Sequence, residues 1–324
     1  MKTLRSLALT SLTFLLALQA PAHAQARYPD RPVKVIVALP AGGSVDMVAR
    51  LLGQKMADQL GQPFVVDNRA GASGQIGVPV VARAAPDGYT LMVSPASFLT
   101  TNKSIFKTLP YDPEADFAPV AKLVNQAMVL VVRDKSRYGT VANVLAAAKA
   151  APGKLTYASS GDGSPQHLAG LMFENRAGVR MLHVPYKGGA PAITDLMAGT
   201  VDMVFAPIPE ALPHIKAGKL HPVGVLGEQR SAILPEVPTM KESGIERLVL
   251  SAWIGLLAPA RTPQPVLDQL QQAARAALQG EARARLIESG MEPALDDPTP
   301  LKQTISQEIR IHAELVKAAG LVPQ

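Results

Sequence analysis

Apolar positions along the chain alternate between two rhythms. Residues 33–39 form a short apolar run broken only by Lys34, the pattern of a buried strand. In 46–60 the apolar positions fall at 47, 48, 51, 52 and 56, the spacing of an amphipathic helix. Residues 64–66 resume the strand pattern. The same beat predicts strands at 90–93, 155–158, 182–184 and 203–205, the last three followed by helices at 168–173, 192–197 and 211–215. Strand and helix in alternation build parallel sheets covered on both faces.

Two stretches break the beat: the long extended run 120–132, and 220–226 ahead of the turn-rich Pro235-Glu236-Val237-Pro238. They read as crossings between two lobes. Residues 123–228 then form the second lobe, while 25–122 and 229–324 combine into a discontinuous first lobe, with helices at 265–277, 282–288 and 300–319 packing back on it. The sequence shows no internal repeat and no low-complexity tract.

The N-terminus changes the picture of where the protein works. Lys2 and Arg5 precede an apolar run from Leu7 to Ala20, and Ala22-His23-Ala24 has the small-x-small form that a signal peptidase cuts. Residues 1–24 therefore read as a signal peptide cleaved after Ala24. The run is about 14 residues, short of the roughly 20 that span a bilayer as a helix. Cysteine is absent, which excludes a lipid anchor, a disulfide and a thiolate metal site. A free periplasmic protein fits these features. After cleavage 30 Lys and Arg face 26 Asp and Glu, with no basic run of five. That scatter excludes a nucleic-acid footprint and leaves a weak attraction for anions.

Two loops carry the candidate chemistry. The first strand runs into Leu39-Pro40-Ala41-Gly42-Gly43-Ser44-Val45-Asp46, where a helix starts. Adjacent glycines let successive N–H groups turn into one concavity, and the helix start adds its positive dipole end, so an anion is favoured there. The second loop, Ser159-Ser160-Gly161-Asp162-Gly163-Ser164-Pro165-Gln166-His167, repeats the arrangement with three hydroxyl donors, Ser164 capping the helix and Pro165 in its first turn. If the lobes face each other, each presents a helix start to one cleft, where open α/β sheets bind ligands. A third junction, around Tyr186 and Lys187, either lines that cleft or braces it. His167 and His183 read as structural histidines.

At these residues the sequence resembles the Bug family, the periplasmic receptors of tripartite tricarboxylate transporters. The markers include Gly42-Gly43 with Asp46, Asp67-Asn68-Arg69-Ala70-Gly71, Ala85-Pro86-Asp87-Gly88-Tyr89, Leu109-Pro110-Tyr111-Asp112, Tyr157-Ala158-Ser159-Ser160-Gly161, His183-Val184-Pro185-Tyr186-Lys187-Gly188 and the run from Leu212 to Leu220. The resemblance implies a type II periplasmic binding protein fold, α/β, with two lobes closing on a hinge cleft. It implies a small carboxylate bound for delivery to a transporter, or alternatively a ligand-sensing role that signals to a membrane sensor kinase. The site it implies takes Leu39, Ala41, Gly42, Gly43, Ser44 and Asp46 from the first loop. From the second it takes Ser159, Ser160, Gly161, Gly163, Ser164 and His167, and Ser94, Tyr186 and Ala206 complete it. No metal, cofactor or nucleic acid is expected, and the protein is expected to act as a monomer.

The chain departs from the family pattern at Leu39, where an aromatic ring is usual, at Ser44 and Val45 in place of Gly and Thr, and at Ala206-Pro207 in place of Asp-Asn. These changes imply a ligand with an apolar or aromatic body rather than a hydroxylated one such as citrate. Enzymatic readings find little support. Gly-x-Ser-x-Gly, His-Glu-x-x-His and the phosphate-binding Gly-x-x-x-x-Gly-Lys-Ser/Thr are all missing. Asp112, Glu114 and Asp116 alternate like a calcium loop, but Phe117 stands where the turn needs Gly.

Overall fold

A computed structural model describes residues 28–295, 298–318 and 323; the predicted signal peptide lies outside the described residues. The strands are β1 (Val33–Val37), β2 (Phe64–Asn68), β3 (Thr90–Pro95), β4 (Phe117–Val132), β5 (Thr156–Ser159), β6 (Leu182–Pro185), β7 (Met203–Pro207), β8 (His221–Val225), β9 (Ser251–Pro259) and β10 (Met291–Pro293). The helices that matter below are α1 (Ser44–Leu60), α2 (Pro165–Ala177), α3 (Gly189–Ala198), α4 (Ile208–Lys216), α5 (Gln264–Ala277) and α6 (Pro298–Ala318).

One strand organises the molecule. The first part of β4 pairs antiparallel with β9 and β10, while its last five residues pair antiparallel with β7 on one side and its last four with β8 on the other. The first sheet therefore runs β2-β1-β3-β9-β4-β10, and the second runs β8-β4-β7-β5-β6. Parallel pairing, predicted for the sheets as a whole, holds for β1 with β2 and β3 and for β5 with β6 and β7. The centre is antiparallel because β9 inserts between β3 and β4 and runs opposite to both.

The end of β4 shows why it belongs to a core on both faces. Met128, Leu130 and Val132 point one way, against Tyr157, Phe173 and Phe205. Val129 and Val131 point the other way, against Ile193, Val204 and Leu212. This is the two-residue alternation of a pleated strand. In the first sheet Ile36, Met92, Trp253 and Leu257 pack with Leu301 and Ile305 of α6.

Residues 229–250 differ from their predicted place. Leu234 and Val237 pack on one face of the second sheet, and Met240, Ile245 and Leu248 pack on the other. Val225 donates to Pro238 O at 2.8 Å and accepts from Met240 N at 2.9 Å, so the Pro-rich stretch extends the second sheet's edge. The chain returns to the first sheet through β9.

Candidate functional site

The first loop folds around Asp46. Its buried carboxylate accepts from the Gly42 amide (3.0 Å), from Arg50 Nε (2.9 Å) and from Asn68 Nδ2 (3.0 Å). These partners, Arg50 first among them, hold its pKa below the usual carboxylate value against the cost of burial. Gly42 sits at φ +92°, a conformation that glycine adopts without strain. Asp46 thus fixes the turn that aims Gly43 and Ser44 into the cleft.

The second loop is held as tightly. Ser164 Oγ accepts from His167 N at 3.3 Å, the cap predicted for α2. Ser159 is buried, bonded through Oγ to Gly161 and to His183 Nε2 at 2.6 Å. The Gly163 amide donates to His167 Nδ1 at 3.1 Å. Ser160 Oγ donates to Gln166 Oε1 at 2.7 Å. The two sheets approach closely here: a Cβ on Gly161 would lie 3.3 Å from Ser73 Oγ, and one on Gly163 would lie 2.9 Å from Ile105 Cδ1.

Between the loops lies a cavity of about 50 Å³ whose wall includes Leu39, Ser44, Val45 and Phe98 from the first-sheet side, Ser160, Ser164, Gln166 and Pro207 from the second, and Gln126 of β4 beneath. An adjoining space of about 40 Å³ is bounded by Ala41, Gly43, Asp46, Ser160 and the Gly188-Gly189 turn. A wider groove of about 300 Å³ continues outward past Gly42, Met47, Ile193 and His214. Of the residues named from sequence, Leu39, Ala41, Gly42, Gly43, Ser44, Asp46, Ser160 and Ser164 line these spaces. Ser94, Ser159, Gly161, Gly163, His167, Tyr186 and Ala206 do not appear in their walls. Ser94 is buried with its Oγ on Pro95 O. Tyr186 donates its hydroxyl to Asp195 at 2.6 Å and braces the wall from behind. Ala206 is buried in the core of the second sheet.

Two residues that sequence reasoning passed over face all or part of this space. Glu210, in the first turn of α4, lines all three spaces. Its Oε1 accepts from Ser44 Oγ at 3.3 Å across the cleft, and Gln166 Nε2 stands 3.5 Å from Oε2. Burial pushes its pKa up to about 7, although the Ser44 and Gln166 donors pull the other way. Gln126 is 2% exposed, and its Nε2 has no hydrogen-bond partner. The only signal in the sequence is an acid three residues beyond Pro207 and an amide inside an apolar strand.

Asp162, His167 and His183 bring three ligand-type atoms within 4.8 Å of one another. The histidine rings are stacked almost parallel, so their nitrogens do not converge on one point. His167 Nδ1 and His183 Nε2 are already engaged by Gly163 and Ser159. The arrangement suits a brace better than a metal site.

Residues 48–321 match the model of the tripartite tricarboxylate transporter family receptor, TctC. The chain belongs to this family. The BugT protein of Bordetella pertussis is 37% identical over 295 residues, 90% of each chain. Among solved structures, R. palustris Rpa4515 with adipate superposes with a TM-score of 0.89 at 32% identity, covering 92% of this chain and all of that one. MatC from Rhodopseudomonas palustris with bound malate gives 0.84 at 32% identity, covering 89% of this chain and all of that one. The TctC fold is a two-lobe periplasmic binding protein fold, and members are solute receptors rather than enzymes. Among the described residues no helix is long and apolar enough to cross a membrane.

Proposed function

We propose that this TctC receptor binds a small carboxylate in the cavity between the loop at 39–46 and the loop at 159–167, and delivers it to a tripartite transporter. The observation that carries the reading is the shared cavity itself: Ser44, Ser160 and Ser164, drawn from two opposed helix starts, face one space. Hydroxyl and amide donors at helix starts stabilise a carboxylate without a basic side chain. Adipate and malate in the related structures support the ligand class. Leu39, Val45, Phe98 and Pro207 give the same space an apolar wall, which favours a solute with an apolar body over citrate. Export follows from the signal peptide read at 1–24, with cleavage after Ala24 and a periplasmic mature protein.

Calorimetric titration with monocarboxylates, dicarboxylates and citrate tests this on the wild type and on Gly43→Val and Ser160→Ala. A Cβ at Gly43 would point toward Glu210 Oε1 at 3.9 Å, so the valine branches crowd the cavity. Binding weakened tenfold or more in both, with melting temperatures near wild type, is expected. Unchanged affinity in both removes these loops from the site, and citrate as the tightest ligand refutes the apolar-body reading.

A further inference from the structure

The cavity has an electrostatic character that a general carboxylate site lacks. Among the described residues, the acids around the three spaces are Glu210, Asp162 and Asp46, and no Lys or Arg is in their walls. His214 lines only the outer groove. Asp46 is neutralised by Arg50, and Asp162, 3.6 Å from the neutral His183 ring, is partly exposed to solvent that screens it. Among the described residues Glu210 is met by Ser44 and Gln166 and by no basic side chain. A second carboxylate entering beside it would meet like charge at low dielectric, which is costly. The same space contains an unused donor, Gln126 Nε2, buried at the base of the cleft, and an unmet buried N–H favours an acceptor brought by a ligand. The 50 Å³ cavity therefore has a donor at its base and an acid at its rim.

We infer that the receptor selects a zwitterionic solute, its carboxylate received by Gln126 Nε2 beside the Ser160 and Ser164 hydroxyls and its ammonium group by Glu210. This deepens the carboxylate reading and rests on it. Ser44 Oγ spans the lobes to Glu210, so a solute ammonium takes the place of that hydroxyl when the lobes part to admit it. The cation supplies what the carboxylate of Glu210 otherwise lacks, a charge-assisted partner.

Length-matched pairs separate the two readings: adipate with 6-aminohexanoate, succinate with 4-aminobutyrate, and terephthalate with 4-(aminomethyl)benzoate, each titrated calorimetrically at pH 8. In the wild type the amino acid of the best-binding pair is expected to bind at least tenfold more tightly than its diacid. Glu210→Gln, which keeps the side-chain shape, is expected to invert that order, and Glu210→Ser serves if the glutamine variant folds poorly. Gln126→Leu should weaken both members of the pair. A diacid that binds as tightly as its amino acid in the wild type, or a preference that survives both Glu210 substitutions, overturns the inference while leaving carboxylate binding intact. Failure of every probe to bind either protein overturns both.

Discussion

The imidazoles of His167 and His183 lie face to face, their centroids 3.8 Å apart and their planes 4° from parallel. Burial lowers the pKa of His167 to about 3, with the neighbouring ring adding to the effect, and lowers that of His183 to about 4 against the pull of Asp162. Both rings are therefore neutral in the folded protein well below the pH at which they charge in the unfolded chain. Their contribution to stability is fully present above pH 6.5 and is lost as pH falls through the folded values. In an NMR titration the ring resonances of these two histidines should stay fixed from pH 8 to about pH 5.5. A midpoint for either of them above pH 6 would contradict the burial argument.

Glu210 responds to pH in the opposite sense. Its folded pKa of about 7 lies above the ordinary value of 4.5 for a glutamate, so the stability linked to its proton is present below pH 4.5 and is lost as pH rises through 7. Glu210→Gln keeps a neutral group at every pH. The melting temperature of the variant relative to wild type should therefore rise between pH 5 and pH 8. The acids Asp46 and Asp162 and His214 of α4 share the surroundings but are present in both proteins, so the difference isolates Glu210. A flat difference would place the carboxyl in ordinary solvent.

Gly170 of α2 packs under the ring of Tyr157, where an added Cβ would overlap ring carbons. Tyr157 is 1% exposed and touches His183 and Phe205 on its other sides, so it has nowhere to move. Gly170→Ala should cost about 1–3 kcal/mol despite the helix propensity gained. Equilibrium denaturation measures it; a stabilised variant would show that α2 slides freely.

The single tryptophan, Trp253, donates its indole N–H to both carboxylate oxygens of Glu308 at 2.9 and 3.0 Å. Glu308→Ala leaves that buried donor unmet, and a loss of about 1–3 kcal/mol is expected. Glu308→Gln retains an acceptor and should lose less. Tryptophan emission followed through denaturation reads both changes.

Much of this architecture was legible in the chain. The helix at 44–60 and the strands flanking it follow from the spacing of Val48, Leu51, Leu52 and Met56, all buried, because burial and periodicity there agree. The cap at Ser164 was equally plain, since the Ser-Pro pair leaves the chain little choice. What escaped was set by neighbours distant in sequence. β9 joins the first sheet only because β3 and β4 offer it two open edges, and no local period announces that. Residues 229–250 read as the way out of the second lobe because of their prolines, whereas Leu234, Val237, Met240 and Leu248 find a core there. Ser159 and Ala206 belong to motif positions yet face inward, since their strands point alternate side chains away from the cleft. Glu210 looked like an ordinary helix-start acid, and only the fold places it against Ser44.

Because Phe117–Val132 contributes hydrogen bonds to both sheets, the two halves cannot be prepared as separate pieces. A cut near residue 127 would strip one fragment of its central strand and leave bare amide edges, an invitation to edge-to-edge aggregation. Relative rotation of the halves must then be absorbed as twist along a shared ladder. The motion that admits a solute should be small in angle, springy, and fully recovered on release.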